Sequence, residues 1–211
     1  MLVLFSLSSI YALSDDFERL SSLANQRYGQ EAYKSIIELQ HLTQRLQGAS
    51  DIEKLTQIND FFNQKIRFVD DIDVWGVSDY WATPLELLGM QAGDCEDFAI
   101  AKYVFLKMLN INNNNMRLTY VRAEISNGEG RSFKAHMVLS YYKTPQSEPL
   151  ILDNLTSEIL PASSRTDLSP IYSFNDSGLW VGSGSKPKGE AQSSLSRWRD
   201  VLLRIRADGI R

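Results

Sequence analysis

The chain has a single cysteine, Cys95, set in the run Gly93-Asp94-Cys95-Glu96-Asp97. That spacing is a helix start, with Asp94 as N-cap, Cys95 in the first turn and Asp97 three residues after the cap. A helix N-terminus favours anions, so a thiolate there is stabilised and its pKa falls. A thiolate attacks carbonyl carbon, and the N–H groups of the same turn can hold the oxyanion that forms. Gly93 allows close backbone approach just before such a nucleophile. The competing reading is an inert, buried cysteine acting as a small hydrophobe.

A nucleophile needs a base, and the chain offers two histidines, His41 and His136. His41 lies in a stretch rich in Gln and Arg and reads as a solvated or boundary residue. His136 opens the β-like run HMVLSYY, and Asp153 closes the run LILD. A simple hairpin turning between Thr144 and Pro145 places these two opposite each other, with Cβ atoms ~4.5–5.5 Å apart. A carboxylate so placed orients the imidazole and stabilises its charged form. The competing reading is a surface histidine beside a turn aspartate.

Asp94, Glu96 and Asp97 crowd carboxylates against the cysteine. Capping explains Asp94 and Asp97 but gives Glu96 no task. Uncompensated carboxylates raise a neighbouring thiol's pKa, and a divalent cation reverses that sign. Hard oxygen donors suit calcium, which takes about 6–8 oxygens, so further ligands are expected from carbonyls, water or the Asp70–Asp73 loop.

Positioning these groups requires helices first and a sheet later. Residues 15–47 show helical spacing (Phe17, Leu20, Leu23 and Ala24, then Tyr33, Ile36, Ile37 and Leu42), with a break at Gly29 and an end at Gly48. Ser50 with Glu53 starts a helix carrying Leu55, Ile58, Phe61 and Phe62. Residues 67–82 read as irregular, acidic and aromatic, with Trp75 and Trp81 as core aromatics. Thr83-Pro84-Leu85-Glu86 starts a short helix bounded by Gly89 and Gly93. The cysteine helix runs through Phe98, Ala101, Val104, Phe105 and Met108 to the Asn110–Asn115 stop. Strands are expected over Arg117–Ile125, His136–Tyr142 and Leu150–Asp153, with turns at Asn127–Gly130 and around Pro145 and Pro149. Gly182–Gly189 is a loop without the flanking elements of a phosphate loop. A closing amphipathic helix carries Leu195, Trp198, Leu202 and Ile205. The fold class is α+β, helices packed on an antiparallel sheet.

Composition limits the functions open to such a chain. With 211 residues, 43% hydrophobic and 23% charged, it reads as one globular domain. A net charge of −4 excludes a nucleic-acid binder that relies on bulk positive charge. One cysteine excludes an internal disulfide and any multi-cysteine metal site. Residues 1–12, MLVLFSLSSIYA, form a short apolar run ending at Ala12 before Ser14-Asp15-Asp16. This reads either as a shortened signal segment, whose first basic residue, Arg19, comes only after the run, or as an apolar N-terminal strand or helix; on the first reading the single domain is residues 13–211.

The stretch Asp79-Tyr80-Trp81-Ala82-Thr83-Pro84-Leu85-Glu86, with Ala92-Gly93-Asp94-Cys95-Glu96-Asp97-Phe98-Ala99-Ile100-Ala101-Lys102-Tyr103, resembles the bacterial transglutaminase-like cysteine proteinases, in particular the LapG-type periplasmic proteinases. His136 in Ala135-His136-Met137-Val138 and Asp153 in Leu152-Asp153-Asn154 fall in the order of that family's Cys-His-Asp triad. The resemblance covers roughly residues 50–160. It implies a papain-like, transglutaminase-type core and a periplasmic endopeptidase. Such an enzyme cuts the N-terminal region of a large outer-membrane adhesin at a paired-alanine site, releasing biofilm adhesin. It further implies calcium bound through the acids flanking the cysteine, pointing first to Asp94 and Glu96 and then to Asp97. An inner-membrane cyclic-di-GMP receptor is implied as the sequestering partner. Two other functions use the same residues: a transglutaminase or acyltransferase on the same triad, and a non-catalytic receptor-binding module.

Overall fold

The computed structural model describes residues 7–127, 130–182, 184, 186, 187, 189 and 195–210. Helix α1 (Leu7–Tyr28) and helix α2 (Gln30–Arg45) fold back on each other at Gly29, whose φ of +85° is open to glycine at little steric cost. Residues 1–6 of the apolar N-terminal run lie outside the described residues; from Leu7 on the run is already helix. Helix α3 (Asp51–Lys65) starts as expected, with Ser50 Oγ accepting the Glu53 N–H at 3.3 Å. No helix among the described residues is long and apolar enough to cross a membrane.

The acidic stretch after α3 is more ordered than its sequence suggests. It holds strand β1 (Arg67–Phe68), which pairs in parallel with β2 (Ala92–Gly93), and a single-turn helix α4 (Asp71–Trp75) closed by Gly76. Segments this short show no hydrophobic period, which is why spacing gives no sign of them. Helix α5 (Pro84–Met90) carries the full capping box: Glu86 N–H donates to Thr83 Oγ1 and Thr83 N–H to Glu86 Oε2.

Helix α6 (Cys95–Met108) is buried along every residue from Asp97 to Leu106. A helix apolar all round belongs inside a core. It packs between α3 and α5 on one side and two long strands on the other, β3 (Met116–Asn127) and β4 (Gly130–Tyr141). These join β5 (Leu150–Leu152), β6 (Leu160–Pro161), β7 (Leu168–Asn175) and β8 (Gly178–Val181) in an antiparallel sheet of order β6-β5-β4-β3-β7-β8. The fold is α+β, as expected. One face of the sheet meets the helices through Leu118, Met137, Leu139 and Phe174; the other carries a small cluster of Val121, Val138 and Ile151.

Two expectations about the strands are corrected. β4 begins at Gly130, so His136 sits in mid-strand and does not open it. Residues 131–135 are all exposed, and with no buried face they show no alternation. β6, β7 and β8 also extend the sheet beyond the three strands expected; β6 is only two residues long, and β7 escapes a sequence reading because much of it is open to solvent and it contains Pro170. The expected Gly182–Gly189 loop falls partly outside the described residues.

Helix α7 (Ser196–Asp208) closes the molecule on α1 and on the segment before α5. Trp198 is fully buried, edge-on to Tyr103 and Phe174. Asp208 pairs with Arg27 at 2.9 Å and accepts from Thr83 Oγ1 at 2.7 Å, and Arg19 donates to the Ala207 carbonyl at 2.7 Å. Arg204 reaches Glu86 at 2.7 Å and the Trp81 carbonyl at 2.5 Å. Trp198→Ala is expected to cost about 3–5 kcal/mol. Urea unfolding should show a lower midpoint with an unchanged slope.

Candidate active site

The turn before α6 is fixed from several sides. Val69 N–H donates to the Gly93 carbonyl at 3.0 Å, Asp94 N–H to Asp97 Oδ2 at 3.3 Å and Ala82 N–H to Asp97 Oδ1 at 2.7 Å. A Cβ on Gly93 would lie 2.5 Å from Asp97 Oδ2 and 2.6 Å from Leu87 Cδ1, so only glycine fits. Cys95 therefore leaves the helix mouth in one direction, towards β4, where the Met137 N–H is aimed at its sulfur.

His136, the neighbour of Met137, is 5% exposed and bonds Asp153 Oδ1 through Nε2 at 2.8 Å. That leaves Nδ1 for a reacting partner. The two residues are not directly opposite, as the simple hairpin predicts. Leu139 pairs with Leu152 and Ser140 with Ile151, so the register places Asp153 level with Val138, two positions from His136. The pair meets on the diagonal of one face, a distance long side chains span. The hairpin loop is one that turns a residue later than assumed.

Asp153 is almost fully buried. Its carboxylate also accepts Arg165 Nη2 at 2.8 Å and the Leu155 N–H at 3.1 Å. Burial opposes its ionisation, but His136, these donors and the Arg165 charge outweigh that and hold the carboxyl well below the usual range. Its carbonyl receives Lys102 Nζ at 3.1 Å and Asn63 Nδ2 at 2.7 Å. Sequence reasoning missed Arg165, Lys102 and Asn63. Only the burial of charged residues marks the first two, and that is invisible before folding. His41 is exposed on α2.

The acids form a larger cluster than the three flanking the cysteine. Oxygens of Asp71, Asp94 and Asp97 lie within 4.8 Å of one another, as do those of Asp71, Asp79 and Glu96. Of the Asp70–Asp73 loop, Asp71 is the member that joins. Asp79 comes from the segment before α5. Burial raises the Asp94 carboxyl to about 9, helped by the charges of Glu96, Asp97 and Asp71. Burial likewise raises Asp71 and Asp97, with Glu96 acting on both. Cys95 Sγ donates to Glu96 Oε2 at 2.9 Å. Burial, then the Glu96 charge and this bond, push the thiol up, against the fall expected from the helix terminus. Asp71 Oδ1 and Asp94 Oδ1 are buried without a hydrogen-bonding partner. Converging carboxylates with orphaned oxygens are the donor set of a hard divalent cation, and Asp71, Asp79, Asp94, Glu96 and Asp97 fit one.

A thiol beside a strand, an imidazole tied to a buried carboxylate and a crowd of acids together suit acyl chemistry at sulfur. The family described as bacterial transglutaminase-like cysteine proteinase, BTLCP, matches residues 26–184, a segment holding every residue named in this site. The chain belongs to the bacterial transglutaminase-like cysteine proteinases. Solved structures of LapG from Legionella pneumophila are similar to this proteinase over most of its length. One superposes with a TM-score of 0.74 at 38% identity, covering 90% of this chain and 97% of that one. An EGTA-treated form gives 0.76 at 38% over 90% and 97%, and a calcium-bound form 0.73 at 39% over 90% and 98%. No match occurs among curated proteins.

The raised acids set a pH dependence. Asp94 titrates near 3.8 when free and at about 9 in the folded protein, so the folded state holds an extra proton between those values. Metal-free stability therefore falls as pH rises through that window. Lys102, pushed by burial down to about 7 from 10.5, acts in the opposite sense above pH 7. The interval from about pH 4 to 7 isolates the acids. In chelator, wild type should lose stability relative to Asp94→Asn across that interval by urea denaturation. A constant difference would overturn the assignment.

Proposed function

We infer that this proteinase is a calcium-dependent cysteine endopeptidase using Cys95 as nucleophile, His136 as base and then acid, and Asp153 as orienter. The observation that carries the reading is the 2.8 Å His136–Asp153 bond on the strand that touches Cys95. Asp153 fixes the proton on Nε2, so Nδ1 is the nitrogen that takes the thiol proton. The sulfur then attacks the scissile carbonyl, and N–H groups at the mouth of α6 face the oxyanion. His136 returns the proton to the departing amine, leaving an acyl-enzyme that water hydrolyses. Arg165 keeps Asp153 ionised throughout. Asp71, Asp79, Asp94, Glu96 and Asp97 would hold calcium, whose charge offsets the carboxylates that otherwise oppose thiolate formation. The calcium-bound and EGTA-treated forms of LapG support this assignment.

The resemblance and the LapG likeness support a periplasmic enzyme that cuts the N-terminal region of a large surface adhesin at a paired-alanine site and promotes biofilm dispersal. An inner-membrane cyclic-di-GMP receptor would sequester it. A recombinant N-terminal region of a large adhesin from the same genome serves as substrate. Cys95→Ala and His136→Ala should each reduce cleavage by roughly a thousandfold or more, and Asp153→Asn strongly. A Cys95→Ala protein that still cuts would sink the mechanism. Mass analysis with added amine distinguishes hydrolysis from acyl transfer.

Metal dependence is tested separately. EGTA should stop cleavage, and calcium should restore it better than magnesium. Asp94→Ala and Glu96→Ala should mimic EGTA and abolish the rise in melting temperature on adding calcium. Full-rate cleavage by metal-free protein would leave the acids as helix caps only.

A further inference from the structure

A cavity of 230 Å³ lies against the face of the sheet turned away from the helices. Its floor is Thr119, Val138, Ser140 and Ile151, and two buried arginines line it, Arg117 at 4% and Arg165 at 7% exposure. No acidic residue among the described residues lines it. Arg165 is matched by Asp153 and Asp167, each within 2.8 Å. Arg117 has no carboxylate partner among the described residues. Its Nη1 donates to the Gly184 carbonyl at 3.2 Å, and its Nε is buried without a partner.

An unpaired buried charge is costly unless a counter-charge reaches it. The guanidinium carbon nonetheless sits 4.0 Å from the Trp180 ring centroid and 4.5 Å from that of Tyr142, whose side chain also hydrogen-bonds the group. Nε is the donor left over, and an Nε–Nη edge is the fork that meets a planar, bidentate anion. The Thr119 and Ser140 hydroxyls, 2.8 Å apart, add polar contacts nearby. Val138 and Ile151 offer an apolar wall that a bare inorganic anion would leave unused. The volume is below the ~300 Å³ at which pockets for larger ligands begin, and suits a molecule of benzoate size.

We propose that this cavity binds a small organic carboxylate, its head on Arg117 and its apolar body against Val138 and Ile151. The site is separate from the acid cluster and does not depend on the proteolytic reading. Isothermal titration of the full chain, with Trp180 fluorescence as a second readout, tests it without any substrate.

Benzoate should bind saturably at one site, and benzamide and inorganic phosphate at least about tenfold more weakly, a difference of about 1.4 kcal/mol. Arg117→Gln should lower benzoate affinity by about tenfold or more, with Arg117→Lys intermediate. Gln146→Glu places a carboxylate on the exposed hairpin loop at the cavity's edge, where it leaves the core untouched. It should weaken benzoate binding while folding normally, so the test stands even if Arg117→Gln does not fold. Trp180→Phe should remove the fluorescence change and keep the calorimetric signal. Absence of saturable benzoate binding, equal binding of benzamide, tighter binding of phosphate, or indifference to both Arg117→Gln and Gln146→Glu would overturn the proposal.

Discussion

Asp153 receives donors from every layer of the molecule. Asn63 of α3 and Lys102 of α6 bond its carbonyl, while His136 of β4 and Arg165 bond its carboxylate. The residue directly follows the three-residue strand β5 and would otherwise be free to move. Buried hydrogen bonds to charged groups contribute about 1.5–3 kcal/mol each, and losing one partner strands the other. The helical layer, the sheet and the imidazole are thus positioned through one residue. Lys102 shows how strictly: burial pushes its ammonium down to about 7, yet a carbonyl and the Asp153 charge keep it in place.

The second constraint is electrostatic. A helix terminus stabilises an anion by about 0.3–1 kcal/mol. Two like charges ~4 Å apart at an effective dielectric of 20 repel by about 4 kcal/mol. Around Cys95 burial first, and then the carboxylates, therefore overrule the helix, and the thiol bonds Glu96 as a donor. The same crowding gives Asp71 and Asp94 their orphaned oxygens. Position on α6 supplies geometry; charge decides whether that geometry is armed.

What the sequence discloses follows from how local each signal is. The break at Gly29, the Thr83–Glu86 box and the start of α6 depend on contacts within four residues, and all appear as read. The pairing of His136 with Asp153 was legible from strand spacing, although its register was set by a loop whose turn chemistry did not specify it. Asp79 joins the acids from outside the cysteine's own helix, and Arg165 reaches Asp153 from a turn after β6. Neither has a local pattern, because nothing near them in sequence shares their task. β7 left no trace because its outer residues meet solvent and its bulge against β3 breaks alternation.

The clasp between α7 and α1 bears on how the molecule is made. Arg27 meets Asp208, and Arg19 meets Ala207, across more than 180 residues of chain. Thr83 and Trp81, which border the cysteine turn, are held by the same closing helix. Contacts of such sequence separation close late, since nearly the whole chain must be ordered before they form. A ribosome releasing the chain from its N-terminus would therefore deliver α1, the sheet and the cysteine before the segment that locks them. The mouth of the site sets only after Asp208 has emerged, which places the cysteine turn among the last parts of the fold to be fixed.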